Sequence, residues 1–231
     1  MVPGREHGLQ SELVLANFSS EDRKVSLSFQ AVEQETFPVK EEITLKAGEQ
    51  IILPDGAAWL KDFGFRVYQR PFFGITGPLI ATVEGQNTYG LFLGLRVSSL
   101  DRGGQYSLFL PAIPAEQESR AATWLFGLQQ NAESRSNLAI VNLGNEPNRF
   151  SIELFDGETG MQAGRVQDLS VNAQGSLQLN SLLADYAPGV THGYARVVPR
   201  SSEPFVAYAV IVDGARPGEG SGDGSVINSS P

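Results

Sequence analysis

The stretch Ala57–Gly77, AAWLKDFGFRVYQRPFFGITG, gathers more groups suited to recognition than any other part of the chain. Trp59, Phe63, Phe65, Tyr68, Phe72 and Phe73 are interleaved with Arg66 and Arg70. Aromatic and arginine side chains anchor interfaces because they bury large areas for little lost rotamer freedom. Aromatic faces also suit sugar rings, and a guanidinium pairs with the carboxylate of an acidic glycan. A third reading competes with these. The alternation F-G-F-R-V-Y fits an additional strand with Phe63, Phe65 and Val67 turned inward. Packing predicts buried rings in this stretch, whereas recognition predicts an exposed aromatic strip.

Catalytic chemistry is sparsely provided. The histidines are His7, near the start, and His192, in the turn-like THGY. A nucleophilic triad would have to bring His192 beside a serine and a carboxylate, which no spacing here arranges. HExxH, GxSxG and GxxxxGK[ST] motifs are absent from the sequence. A glycosidase needs two carboxyl groups flanking one bond, and Glu41, Glu42, Glu153, Asp156 and Glu158 are the acids to consider. Adjacent strand residues point to opposite faces, so Glu41 and Glu42 cannot serve one site. The acids read as solvated surface, and the chain as a non-enzyme.

Without cysteine there is no disulfide, thiolate catalysis or cysteine-based zinc site. Asp213, Glu219 and Asp223 on the glycine-rich DGARPGEGSGDGS could offer oxygen ligands to calcium. Their spacing is neither that of an EF-hand nor of a GGxGxD repeat, so a flexible loop is the expectation, and no metal or cofactor is assigned.

The elements that would position these residues emerge from a repetition. SELVLANFSSEDRKVSLSFQA, from Ser11, lies over SNLAIVNLGNEPNRFSIELFD, from Ser136, without a gap. Leu13/Leu138, Asn17/Asn142, Glu21/Glu146 and Ser26/Ser151 are identical, and VSLSF stays in phase with FSIEL, as register-sensitive strands require. LKAGEQIIL then matches VNAQGSLQL with Gly48 over Gly175, and LIATVEGQNTYGLFLGLRV matches YARVVPRSSEPFVAYAVIV with Ala81 over Ala195 and Leu91 over Phe205. Between the Gly48/Gly175 and Ala81/Ala195 anchors the first copy is longer, and the surplus falls in the aromatic stretch itself.

Runs of five to nine residues with period-two patterning alternate with turn signals such as FSSED, NTYG, DRGG and the Asp156-Gly157 pair, a strong hairpin signal. Helical candidates are short, around Ala57–Lys61 and Ser181–Tyr186. The fold class is therefore all-β: two tandem antiparallel β-sandwiches, immunoglobulin-like in architecture and related by an internal repeat. Residues 1–114 form the first, with its insertion at 57–77. Residues 115–231 form the second, opening with a linker at 115–122 inside the Pro- and Glu-rich PAIPAEQESRAA. TWLFGL, Thr123–Leu128, reads equally as the opening strand of the second sandwich or the closing strand of the first. Asn17-Phe18-Ser19 fits a glycosylation triplet, but the paired Asn17 and Asn142 read as turn-forming residues at strand ends. Tyr194 and Tyr208, in strands, read as core.

SNLAIVNLGN…FSIELFDGETG, followed by GYARVV and PFVAYAVIVD, resembles the tandem β-sandwich modules of large secreted or surface proteins of bacteria. That resemblance covers the second half well. The first half departs from it, since YGLFLGLRV lacks the proline and the Ala-Tyr pair. It implies a repeated sandwich in an exported setting and carries no catalytic or binding residue.

The 231 residues hold 17 Lys and Arg against 26 Asp and Glu, a net charge of −9. That balance argues against a general nucleic-acid or anionic-membrane partner, since phosphate binding needs a basic surface. No apolar run reaches the roughly 18–20 residues of a membrane-spanning helix, and MVPGREHG lacks the apolar centre of a signal peptide. An extracellular or cell-surface chain whose leader is absent from this sequence is expected. The function read from these residues is a structural or adhesive module acting by protein contact or as a spacer. The alternative is a carbohydrate-binding module using the aromatic and arginine residues of 57–77.

Overall fold

A computed structural model describes residues 9–30, 39–62, 77–101, 104–216, 219–221 and 223–230. Two compact units divide the chain, Met1–Ala112 and Ile113–Pro231. The fold is all-β, and every strand pairing among the described residues is antiparallel.

The first unit contains β1 (Leu9–Asn17), β2 (Arg23–Phe29), β3 (Val39–Leu45), β4 (Gln50–Leu53), helix α1 (Gly56–Asp62), β5 (Leu79–Val83), β6 (Leu91–Asp101) and β7 (Gly104–Pro111). Its sheets run β4-β1-β6-β7 and β3-β2-β5. The second unit contains β8 (Thr123–Gln129), β9 (Ser134–Asn142), β10 (Asn148–Asp156), β11 (Gln162–Val171), β12 (Ser176–Leu179), helix α2 (Leu182–Tyr186), β13 (His192–Pro199), β14 (Phe205–Asp213) and β15 (Gly224–Asn228). Its sheets run β12-β9-β14-β15 and β11-β10-β13-β8. Each unit therefore has the two antiparallel sheets of a β-sandwich.

Alternation decides the cores. Val25, Leu27 and Phe29 on β2 are buried, as are Phe150, Ile152 and Leu154 on β10, because every second side chain of a strand faces the same way. In the first unit they pack with Leu13, Leu15, Leu45, Leu60 and Leu95. In the second they pack with Leu138, Ile140, Phe205, Ala207 and Ala209, and the rings of Phe150 and Phe205 meet edge to face at 5.0 Å. Burying one such side chain stabilises a fold by about 1.5–3 kcal/mol.

A buried asparagine ties each unit's two sheets together. Asn17, 1% exposed, donates from Nδ2 to the carbonyls of Glu21, Leu45 and Lys46 at 2.8, 3.1 and 3.0 Å. Asn142, 0% exposed, donates to Glu146, Val171 and Asn172 at 2.8, 3.2 and 3.0 Å. Their own backbone N–H groups bond the carbonyls of Glu49 and Gly175. Asn17 Nδ2 is thus fully engaged inside the protein and not presented for glycosylation.

Strand pairing corrects two of the sequence anchors. Gly175 stands where Glu49 does, so Gly48 corresponds to Gln174, and both of these adopt the left-handed conformation, at φ 73° and 54°. Ala81 faces Leu27 across the sheet while Val197 faces Ile152, so Ala81 corresponds to Val197 rather than Ala195. This two-residue shift keeps the inward face inward, which is why alternation did not reveal it. Leu91 and Phe205 do occupy matching places, opposite Asn17 and Asn142.

TWLFGL belongs to the second unit, where β8 pairs with β13. The preceding segment is already docked there. Ser119 exchanges both backbone hydrogen bonds with Phe205, at 2.8 and 2.9 Å, and the Arg120 guanidinium reaches the Ser202 carbonyl.

Asn17→Ala and Asn142→Ala each remove a donor from a buried carbonyl, that of Leu45 or Val171, and each is expected to cost about 2–3 kcal/mol in urea unfolding. Asn142→Asp should cost at least as much, because a carboxylate cannot donate.

Candidate functional site

Of the residues singled out at 57–77, Trp59 lies in α1. Its N–H bonds the Asp55 carbonyl at 2.9 Å, the Asp55 carboxylate caps the helix through the Ala58 N–H, and the indole is half-buried against the first unit's core. Phe63, Phe65, Arg66, Tyr68, Arg70, Phe72 and Phe73 lie outside the described residues.

The aromatic strip that the structure does display is on the second unit, on the outer face of the sheet β11-β10-β13-β8. On β13, Gly193, Ala195 and Val197 are buried, so Tyr194 and Arg196 face away from the core. On β10, Ile152 and Leu154 point inward and Glu153 and Phe155 outward. On β8, Thr123 and Leu125 point inward and Trp124 and Phe126 outward; Gly127, at φ 84°, then takes up a bulge opposite Gly193–Tyr194 and returns Leu128 to the core. Tyr194 is accordingly no core residue. Its spacing matched an inward position because both faces of these strands are apolar.

Register turns these residues into two rows. One reads Phe126–Tyr194–Phe155–Gln162 across β8, β13, β10 and β11, and the next reads Trp124–Arg196–Glu153–Arg165. Phe155 and Tyr194 lie parallel, 6° apart with centroids 5.0 Å apart, and Phe126 continues the row at 5.7 Å. Trp124 closes the cluster at 6.1 Å from Phe126, 5.7 Å from Phe155 and 6.0 Å from Tyr194. The Arg196 guanidinium stands 5.5 Å over the indole and bonds Glu153 at 3.3 Å. Phe126, at the sheet edge, is 53% exposed.

The spacing decides what such a surface can do. Two parallel rings with centroids only 5.0 Å apart are stacked on each other, because coplanar neighbours would collide. One face of each ring is therefore covered by the other. Arg196 occupies one face of Trp124. Sugar binding by stacking needs open faces, whereas a protein surface can pack against ring edges and an exposed phenylalanine.

The first unit carries a smaller patch of similar composition. Phe92 and Phe109 lie parallel at 6.0 Å, and Arg96 stands over Phe109 while pairing with Glu12.

The described residues around Asp213 are held by protein groups. Arg135 donates from Nη1 to the carbonyls of Gly214 and Arg216 at 2.6 and 3.0 Å, and burial lowers its pKa despite Glu219 and Asp213 nearby. Asp213 Oδ2 accepts from the Ser221 N–H and hydroxyl at 2.7 and 2.5 Å, which holds its carboxyl below the usual range. Among the described residues no three His, Asp or Glu are grouped to hold a metal. Asp156 is likewise held low by Thr159, whose N–H and hydroxyl both bond it in the β10–β11 turn, with a smaller contribution from His192. His192 itself has Nδ1 3.2 Å from the Thr191 hydroxyl.

Tyr208 faces away from the core, because Ala207 and Ala209 of the same strand point into it, yet burial pushes its hydroxyl up to about 12. No described helix is long and apolar enough to cross a membrane.

No protein-family model and no curated protein matches this chain. Among solved structures, a "putative secreted protein" from Parabacteroides distasonis aligns with 99% of this chain and 74% of its own, at 10% identity and a TM-score of 0.22. A likeness at that score bears on neither fold nor function.

Two outcomes follow from the electrostatics. Because the folded pKa of Tyr208 is raised, its contribution is full below pH about 10 and is lost as pH rises towards about 12, so wild type should lose about 2–3 kcal/mol relative to Tyr208→Phe over that window in urea unfolding. Millimolar calcium should leave the melting temperature unchanged, since the Ser221 N–H and hydroxyl already bind Asp213.

Proposed function

We propose that this chain is a non-enzymatic structural or adhesive module and that the outer face of β11-β10-β13-β8 is its protein-contact surface. The observation that carries the reading is the aromatic row Phe126–Tyr194–Phe155, in which Tyr194 and Phe155 stack and Phe126 is tilted against Tyr194, with Trp124 beside it and Phe126 exposed at the edge. Interfaces draw their energy from a few aromatic and arginine anchors surrounded by polar groups that fix orientation. Here Arg196 and Glu153 provide that polar flank, paired to each other and partly open to solvent.

In this reading the two units are copies of one module. Their matching sheet orders and the matched hydrogen bonds of Asn17 and Asn142 support that view. Strung modules add reach and avidity without new chemistry. The resemblance to modules of secreted bacterial proteins favours a place at or beyond the cell surface. With a net charge of −9, the remaining surface stays solvated and repels non-specific contacts.

A photo-crosslinking residue at position 126, compared with one at Glu158 in the exposed β10–β11 turn, tests the assignment. Position 126 alone should capture a protein, and the complex rebuilt from purified components should weaken about 30-fold or more in Phe126→Asp. A Trp59→Phe chain leaves Trp124 as the reporter for sugars. A shift of its emission by soluble polysaccharides, with no protein captured at 126, would replace this reading with glycan binding.

A further inference from the structure

The outer face of β11-β10-β13-β8 changes character along its strands. Four residues from Glu153 and from Arg196, in the direction away from the aromatic row, stand Arg149 and Arg200. The Arg200 N–H bonds the Arg149 carbonyl at 2.8 Å, which sets the two arginines abreast. Phe150 points into the core, so Arg149 points outward, and it is exposed. Like charges directly opposite each other on a sheet are unfavourable, so this pairing does not serve the fold.

The carboxylates nearby do not balance these cations. Glu153 bonds Arg196, and Asp168 bonds Arg200 at 2.7 Å. Among the described residues no carboxylate pairs with Arg149 or Arg165, and both side chains are exposed. The rest of the unit is the reverse. Residues 113–231 hold 7 Arg and no Lys against 13 Asp and Glu, and four of those arginines stand here with only Glu153 and Asp168 among them. Asp156 and Glu158 belong to the β10–β11 turn, at the other end of the sheet beyond Phe155. An acidic unit has gathered its cations beside its aromatic cluster.

We propose that the partner of this face is an acidic polypeptide, with carboxylates seated on Arg149 and Arg165 and an apolar side chain against Phe126 and Trp124. The inference rests on the reading of this face as a protein-contact surface and adds the chemistry of what it contacts. A guanidinium takes a carboxylate through two parallel N–H···O bonds, so an arginine without an ion-pair partner is a ready seat for one. Arg165 lies opposite Glu153, four residues along β10 from Arg149, so the two seats are about 13 Å apart along the strands. Acids on the partner at that separation would engage both. The acidic remainder of the unit repels the same partner, so charge also decides where it lands.

The test uses the intact chain and a fluorescent random copolymer of glutamate and tyrosine. Anisotropy at about 50 mM salt should show saturable binding that weakens as salt rises, because exposed charges are screened. The double variant Arg149→Gln/Arg165→Gln should weaken binding about tenfold or more, as should Phe126→Asp, whereas Arg216→Gln, on the loop after β14, should leave it unchanged. The double variant should keep the wild-type melting temperature, since neither side chain has an ion pair to lose. Absence of copolymer binding, or equal affinity of the double variant and wild type, would overturn the proposal. Binding of alginate with the same dependence on Arg149 and Arg165 would overturn it in favour of an acidic glycan. A protein captured at position 126 whose complex ignores the double variant would leave the surface reading standing and remove the acidic partner. No capture at 126 would remove both.

Discussion

The side-chain amide of one asparagine per unit is the constraint from which the remaining geometry follows. Asn17 lies at the end of β1, in one sheet, and its Nδ2 grips carbonyls at the start of β2 and the end of β3, in the other. Asn142 does the same between β9, β10 and β11. An amide N–H2 has two hydrogens, so three acceptors around it share them in a bifurcated arrangement and fix its position closely. Shifting either strand by one residue would strand those carbonyls away from water and also turn the apolar face of β2 or β10 outward. The polar clamp and the hydrophobic pattern therefore select the same register.

With that register fixed, the outer faces are determined. On β11-β10-β13-β8, pairing sets Phe126, Tyr194 and Phe155 abreast and sets Trp124, Arg196 and Glu153 in the neighbouring row. Cross-strand neighbours sit about 5 Å apart, which is the stacking distance of aromatic rings rather than the spacing of a flat platform. The sheet itself thus brings these rings against one another. An outer face of this kind is apolar, with the partly exposed Arg196–Glu153 pair at its border.

The units also share one framework. β8 seals the second unit because Ser136 holds its end and Leu125 and Leu128 fill the space between sheets. The first unit has the same serine position and the same strand order around it, but its β5 side chains remain half-buried. Among the described residues the clamp and the central strand pairs are alike in the two units.

Local pattern alone determined the all-β class, the short helices α1 and α2, the hairpin at Asp156-Gly157 and the turn-forming role of Asn17 and Asn142. Each depends on period, on turn chemistry or on a residue's own backbone preference, which neighbours in sequence supply. The candidate face was illegible for an equally physical reason. In TWLFGL and in GYARVV both faces of the strand are bulky or apolar, so alternation distinguishes two faces without saying which one enters the core. The sequence drew attention to the aromatic run at 57–77, of which Trp59 packs against the first core, because composition marks clustering along the chain and not clustering across strands. Trp124, Phe126, Phe155 and Tyr194 are far apart in the sequence, and only the pairing of β8, β13 and β10 brings them together. The shifts that place Gly48 on Gln174 and Ala81 on Val197 were likewise settled by hydrogen bonds between distant strands, since register is a property of the pair and neither strand carries it alone.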